Sequence, residues 1–262
     1  MSTSHPPLPS MASILPMLFA QLRSGLLVYW RRPFFILFSM ALPIMFFGIF
    51  GLPNLNQKTG SFNLGAHLLA SFAAYAMSNV LVYNIGIGQA QQRARKFDLL
   101  QRATPLPGWI AITASMLSGL ALAVASLVAL LIVGRIGGVS LDGIHWLLLG
   151  LAVIFGSLPM LGLGMILGYG TSPNLAPALA SLIYLPLAFA SGLFVPLSNM
   201  PAFVQHFALY LPLYHLGELG WNVVGGSDES VAQAILWIIG WSVVLFAIAV
   251  RVYRIDQQRK FA

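Results

Sequence analysis

Cysteine is absent from the 262 residues, and charged side chains are scarce. The absence of cysteine excludes disulfide bonds, thiolate metal sites and a cysteine nucleophile. Asp, Glu, Lys and Arg together make up 7% of the sequence, whereas a soluble domain contains about 25%. Hydrophobic residues make up 58%, and the mean hydropathy is +0.85. A water-soluble fold of this length cannot cover its surface with so few charges, so the composition predicts an integral membrane protein.

The sequence also lacks the motifs of common enzyme classes. The phosphate-binding pattern GxxxxGK[ST] does not occur, because the one Lys-Thr pair, at Lys58, follows Gln57 and not glycine. No HExxH pattern or other closely spaced set of His and carboxylate residues is present. The scattered histidines His67, His145, His206 and His215 are interpreted as packing or interface residues. We therefore expect no catalytic residues, no metal and no cofactor in this chain.

Six apolar stretches are long enough to cross a membrane as helices. A spanning helix needs about 20 mainly apolar residues, and its backbone groups bond within the helix. The six predicted spans are Phe34–Leu52, Gly65–Gly88, Trp109–Gly134, Trp146–Tyr169, Leu175–Leu197 and Val231–Val252. No acid or base is predicted at the centre of a span, where a proton-coupled carrier usually has one. The sequence thus predicts an all-α integral membrane protein with a single domain, residues 1–262.

The distribution of basic residues sets the expected orientation. Lys and Arg are favoured in short cytoplasmic loops. If the N-terminus is inside, eleven of the thirteen basic residues are inside, and only Lys58 and Arg135 are outside. We therefore expect a multi-pass protein of a bacterial inner (plasma) membrane with both termini cytoplasmic. The opening residues lack the features of a cleaved signal and are expected to be retained.

The net charge of +7 is assigned to topology and to lipid headgroups. The basic residues abut apolar spans and do not form a soluble basic face, so no nucleic-acid partner is predicted. Residues 11–32 place apolar side chains at helical spacing and end in Trp30, Arg31 and Arg32. This pattern is typical of an amphipathic helix that lies in the membrane interface on anionic lipid.

The segment between the fifth and sixth spans, residues 198–226, is apolar but too interrupted by proline for one straight crossing. By the parity of the spans it lies outside. Apolar segments of about 10–14 residues are more often re-entrant or interfacial than spanning. Two short helices, Pro201–Tyr210 and Leu213–Val224, are therefore predicted to form an external re-entrant hairpin.

Residues 89–107, within GQAQQRARKFDLLQRATPLPGW, gather four basic residues between two long apolar runs. This stretch resembles the permeases of the second ABC export family. So does a second stretch, which starts at Leu179 and reads LASLIYLPLAFASGLFVPLSNMPAFVQHFALYLPLYHLGELGW. That family includes drug-resistance, nodulation-factor and polysaccharide exporters. The likeness covers nearly the whole chain, and the Ser-Gly, Met-Pro and Leu-Pro spacing after the fifth span is its most specific part. The E-R-E-x-G-like stretch of the family is absent.

The resemblance implies a permease subunit that binds a cytoplasmic ABC ATPase and pairs with a second permease copy, identical or related. ATP and magnesium would then be bound by the ATPase partner. Residues 89–107 would form the cytoplasmic coupling loop. The predicted ATPase-coupling residues are Arg93, Arg95, Lys96, Phe97, Asp98, Leu99 and Leu100. The alternative is a solvated topology loop, although the run from Phe97 to Leu100 is more apolar than such a loop requires.

Two stripes of polar and aromatic residues on the second and fifth spans are candidates for the substrate path. The predicted path residues are Phe72, Tyr75, Asn79, Tyr83, Ser181, Tyr184 and Ser191. Ordinary helix packing through small and polar groups explains the stripes equally well. The predicted external gate consists of Phe194, Pro196, Pro201, Pro212 and Glu218. Gly164 and Gly168 on the fourth span form a GxxxG match, which predicts close helix approach within the subunit.

The sequence therefore predicts the permease subunit of an ATP-driven exporter. Aromatic, uncharged stripes favour an amphipathic, lipid-like or drug-like substrate taken from the cytoplasm or the inner leaflet. The alternatives are a non-transporting membrane scaffold, which needs no ATPase, and a secondary carrier driven by a proton or sodium gradient.

Overall fold

The computed structural model describes residues 11–31, 33–59, 62–94 and 108–259, which form a bundle of helices. The helices are α1 Met11–Trp30, α2 Pro33–Phe46, α3 Leu64–Val80, α4 Gly86–Ala94, α5 Gly108–Ile136, α6 Gly143–Gly156, α7 Leu158–Gly170, α8 Ala176–Ala190, α9 Ala202–Ala208, α10 Pro212–Val223 and α11 Val231–Arg259. Two short strands, β1 Lys58–Thr59 and β2 Phe62–Asn63, pair antiparallel in the loop before α3. The side chain of Asn63 caps α3 by accepting a hydrogen bond from the backbone N–H of Ala66.

Four helical stretches are long and apolar enough to cross a membrane. They are Leu64–Ala94, Gly108–Ile136, Gly143–Gly170 and Val231–Gln258, at the predicted second, third, fourth and sixth spans. The first and fifth predicted spans coincide with shorter apolar helices, Ser39–Asn54 and Ala176–Ala190. The chain therefore has the architecture of an all-α membrane protein, while six crossings stay a prediction.

The helices of the second and sixth predicted spans extend further than expected, to Ala94 and Arg259, whereas the fifth ends early and the fourth is divided. The fifth helix ends at Ala190 and not at Leu197, because the chain turns at Gly192 with a left-handed φ of +80°. The fourth span consists of two helices, α6 and α7, that meet at Ser157. Pro159 explains the break, since proline is accommodated in the first turn of a helix but not in its interior.

The second span lies at the centre of the bundle. Of the 18 most apolar consecutive residues in this span, 89% are buried. In the corresponding stretch of the sixth span the share is 17%. The small residues Ala70, Ala73 and Ala74 in this span are buried and let neighbouring helices approach closely. A π-helical turn at Leu81–Ile85 joins α3 to α4. Such turns widen the helix locally and are frequent at functional sites.

The N-terminal helix α1 packs on the third span and binds the second. An added Cβ at Gly25 would lie only 2.3 Å from the Ser118 Oγ atom, so glycine allows this close approach. The Tyr29 hydroxyl donates a hydrogen bond of 2.7 Å to Asn84 Oδ1 in the π-helical turn. Pro16 lies inside the helix and does not end it. The interfacial position of α1 stays a prediction.

Two short helices occur where the external hairpin is predicted. α9 and α10 begin within a residue of the predicted starts, because Pro201 and Pro212 interrupt the chain there. α10 is buried along most of its length against α3, α6 and α11. Its re-entrant position on the outer side stays a prediction.

The GxxxG pair of the fourth span makes the close approach that the sequence predicts. An added Cβ would lie 2.8 Å from the Leu81 carbonyl oxygen at Gly164, and 2.7 Å from Gln89 Cβ at Gly168. Both contacts join α7 to the second span within the same subunit.

Gly164→Ala is expected to destabilise the protein by about 1 to 3 kcal/mol, because the new methyl group meets backbone that cannot move away. Gly240→Ala is the matched control, since no described atom lies within 4 Å of an added Cβ there. The control should leave stability unchanged or raise it by up to about 1 kcal/mol through helix propensity. The melting temperatures of the two detergent-solubilised variants measure the difference. Equal effects of the two substitutions would contradict the close packing of α7 on the second span.

Candidate functional site

The second and fifth spans meet through a group of hydroxyl-bearing side chains, which we name the tyrosine cluster (Tyr75, Ser78, Tyr83, Ser181 and Tyr184). The Tyr184 hydroxyl lies 2.9 Å from Ser78 Oγ and donates to the backbone carbonyl of Tyr75 at 3.1 Å. The Tyr83 hydroxyl donates to Ser181 Oγ at 3.0 Å. Tyr184 is completely buried and Tyr75 nearly so. These hydrogen bonds satisfy polar groups that would otherwise be unpaired inside the apolar bundle.

Aromatic rings extend the tyrosine cluster toward the end of α8. The Tyr75 ring packs on Tyr184, with 5.9 Å between centroids, and on Phe194, with 4.8 Å. Phe194 also contacts Phe72, at 6.1 Å, and Phe189, at 4.5 Å. The turn at Gly192 is what brings Phe194 back against these rings. These rings form a continuous aromatic contact between the second span and the end of the fifth.

The structure brings most of the predicted path residues together. Asn79 Nδ2 donates to the Tyr75 hydroxyl at 3.4 Å, and Phe72 joins the cluster through Phe194. Ser191 is buried at the carboxyl end of α8. The stripes therefore pair with each other within one subunit. Their role in lining a path stays a prediction.

A second group of buried polar side chains lies between α10 and the loop before α11. We name it the α10 polar cluster (His215, Glu218, Ser227 and Glu229). Glu218 Oε2 accepts hydrogen bonds from Ser227 Oγ at 2.5 Å and from the backbone N–H groups of Asp228 and Glu229. Glu218 is only 2% exposed. This carboxylate therefore fixes the loop against the hairpin.

His215 connects the same loop to the end of α9. Its Nδ1 lies 2.8 Å from Glu229 Oε2, and its Nε2 lies 3.0 Å from the Leu209 carbonyl oxygen. Trp237 of α11 stacks on the ring at 4.9 Å. Both ring nitrogens of His215 therefore have a hydrogen-bond partner. The interpretation of His215 as a packing residue missed this pairing, because its spacing of 14 residues to Glu229 carries no recognisable signal.

The structure divides the predicted gate residues into two groups. Three of them face the interior. Phe194 contacts the aromatic rings of the tyrosine cluster, Pro212 begins α10, and Glu218 binds the loop before α11. Pro196 and Pro201 are exposed beside the short turn before α9. The gating role itself stays a prediction.

Of the predicted coupling residues, only Arg93 belongs to the described part of the chain. Arg95, Lys96, Phe97, Asp98, Leu99 and Leu100 lie outside the described residues. Arg93 lies near the end of α4 and makes an ion pair with Asp256 of α11, with 2.5 Å between Nη2 and Oδ1. The partner was missed because Asp256 is 163 residues away in the sequence.

Long apolar helices with paired polar groups between them are the architecture of a multi-pass membrane protein. Residues 17–220 match the profile of the ABC-2 type transporter family, and the chain therefore belongs to that family. A curated protein of Bacillus subtilis (strain 168), "Putative transport permease YvfS", is 29% identical over 213 residues. The match covers 79% of this chain and 85% of that protein. The resemblance read from the sequence is thus confirmed.

The raised pKa of Glu218 in the α10 polar cluster predicts that the stability of the protein depends on pH. Burial raises the pKa of the Glu218 carboxyl above its ordinary value of 4.5, and the hydrogen bonds that it accepts only partly offset this. A carboxyl with a raised pKa in the folded state stabilises folding below its ordinary pKa. That contribution is lost as the pH rises through the folded-state value. We therefore expect the melting temperature of the parent protein to fall as the pH rises above 4.5. In Glu218→Gln this fall should be smaller, because the variant has no carboxyl group to titrate.

The control for Glu218→Gln is Asp142→Asn, which removes a carboxylate whose side chain is 89% exposed. It should leave the pH dependence of the melting temperature as in the parent protein. Parallel curves for the parent and Glu218→Gln would show that Glu218 does not control stability in this range.

Proposed function

We propose that this chain is the permease subunit of an ATP-driven ABC exporter, which opens a route between its second and fifth spans. The tyrosine cluster carries this proposal. Polar groups inside a membrane protein are costly and are usually retained for function. Here hydroxyl groups of the second and fifth spans form hydrogen bonds with each other. Once the two helices separate, water or a polar group of a substrate would replace these partners. The conformation described is the closed one.

The energy is proposed to come from a separate subunit. The sequence contains no phosphate-binding motif, and permeases of the ABC-2 family generally work with an ABC ATPase subunit. ATP and magnesium would be bound there. The segment of residues 95–107 would lie against that subunit, and the closing of the ATPase pair would displace it.

The chemistry of the tyrosine cluster favours an amphipathic substrate. Each tyrosine offers an apolar ring and one hydroxyl group, which match a lipid-like or drug-like molecule with a few polar groups. The substrate would enter from the cytoplasm or the inner leaflet. On separation of the spans, Phe194 and the hairpin α9–α10 would move away and release it to the outside.

The face of α8 opposite to Tyr184 favours a second permease copy as partner. Leu182 is 69% exposed there, and Phe189 is 48% exposed. A second copy, identical or related, would cover this apolar face, and lipid would cover the remaining exposed apolar surface, including that of α1. The distribution of Lys and Arg supports an inner-membrane orientation with both termini in the cytoplasm.

The proposal is tested by purifying the tagged chain and assaying inside-out vesicles. An ABC ATPase should co-purify, and ATP should drive accumulation of a fluorescent phospholipid analogue or the amphipathic dye Hoechst 33342. Accumulation driven by a proton or sodium gradient without ATP would support a secondary carrier instead. Purification without any nucleotide-binding partner would support a scaffold.

Phe97→Asp is expected to uncouple ATP hydrolysis from transport, because it places a charge where the coupling loop needs an apolar contact. ATP-driven accumulation should fall by about tenfold or more, which is within the usual range of coupling between sites. Membrane insertion should be unchanged. The control is Phe97→Leu, which keeps an apolar side chain and should transport normally. Full transport by Phe97→Asp would count against the coupling role of this loop.

A further inference from the structure

Arg93 is bound inside its own subunit by the ends of two other spans. Its Nη1 donates to the carbonyl oxygens of Gly168 at 2.8 Å and Thr171 at 3.1 Å. Its Nη2 donates to Asp256 Oδ1 at 2.5 Å. The side chains of Arg93 and Asp256 are 22% and 8% exposed. The guanidinium group thus joins the second span to the fourth and the sixth.

The geometry suits arginine in particular. Gly168 and Thr171 lie at the carboxyl end of α7, where the last carbonyl groups have no partner in the helix. A cation is also favourable at that end of the helix dipole. A planar guanidinium binds carbonyl and carboxylate groups at once with its fork of donors, which the ammonium of lysine cannot reproduce. Tyr169 completes the site, with its ring centroid 6.0 Å from Arg93 Cζ.

A second side chain, one turn earlier, strengthens the attachment of α4. Gln89 Nε2 donates to Ser115 Oγ of α5 at 2.6 Å, and Gln89 Cβ packs directly against Gly168. The inner end of the second span is therefore held to the third, fourth and sixth spans together. Arg93 is the last of these attachments before the segment of residues 95–107.

We propose that Arg93 is a positioning residue that transmits displacement of the coupling segment to the fourth and sixth spans. This inference rests on the proposed function. It replaces the prediction that Arg93 itself contacts the ATPase, since its described donors are directed at its own subunit. Separating Arg93 from Asp256 would break a largely buried ion pair, which is strongly unfavourable. The inner ends of α4, α7 and α11 therefore move as one body.

The absence of cysteine allows a direct test. Ser191→Cys places one thiol at a buried position near the outer end of α8, so a membrane-impermeant maleimide reacts only when that region opens. In the complex with its ATPase in lipid nanodiscs, ATP should raise the labelling rate of the permease by about tenfold. Adding Arg93→Gln or Arg93→Lys should reduce that response to less than about twofold, while ATP hydrolysis and co-purification persist.

Two further variants complete the test. Asp256→Asn keeps a hydrogen-bond acceptor but removes the negative charge, so this variant should also lose the response to ATP. It provides a second probe if an Arg93 variant fails to fold. Arg254→Gln removes an exposed cation from the same helix and should respond as the Ser191→Cys parent does.

A full response to ATP in both the Arg93 and the Asp256 variants would overturn the inference and leave the proposed function intact. Loss of the ATPase from the purified Arg93→Gln complex would also overturn it, because Arg93 would then be an ATPase contact. Absence of any ATP response in the Ser191→Cys parent would remove the proposed function and this inference with it.

Discussion

The buried hydrogen bonds between Tyr184 of the fifth span and Ser78 and Tyr75 of the second govern how the two helices can be arranged. In the middle of an apolar bundle these hydroxyl and carbonyl groups have no water to bind, so they are satisfied by each other or by a ligand. The fifth helix is short, ending at Ala190, and its outward face is apolar. Its polar attachment to the second span therefore fixes which face it turns inward.

The second span is attached to other helices at three levels along its length. Near its start Ser71 accepts a hydrogen bond of 2.8 Å from Trp221 Nε1 of α10. The tyrosine cluster lies in the middle. Near Arg93 the ion pair with Asp256 attaches the sixth span. Under the proposed function, a displacement at the Arg93 end of this helix would reach both the tyrosine cluster and the helices α9 and α10.

Much of the fold follows from the sequence because apolar length and proline position act locally. The long apolar runs predicted the four long helices, and Pro201 and Pro212 predicted the short ones. The early end of α8 was missed because the turn depends on the backbone angle of Gly192, which the apolar run conceals. The polar stripes on the second and fifth spans were recognised, yet their direct pairing required knowledge of how the two helices rotate.

Two polar contacts could not be predicted from the sequence. Asp256 is 163 residues away from Arg93, and the spacing of 14 residues between His215 and Glu229 carries no recognisable signal. Arg93 lies in a basic stretch, which suggested an external partner, and only the packing of α4 against α7 and α11 directs it inward.

The most direct measurement for the central claim is ATP-driven transport after a short bis-methanethiosulfonate crosslinker joins the Ser78→Cys and Tyr184→Cys positions. Transport should stop when the two spans are linked and return after reduction to the level of the unlinked double variant, which is lower than that of the parent protein because the hydroxyl groups of Ser78 and Tyr184 are missing. Undiminished transport by the linked protein would contradict the separation of the second and fifth spans.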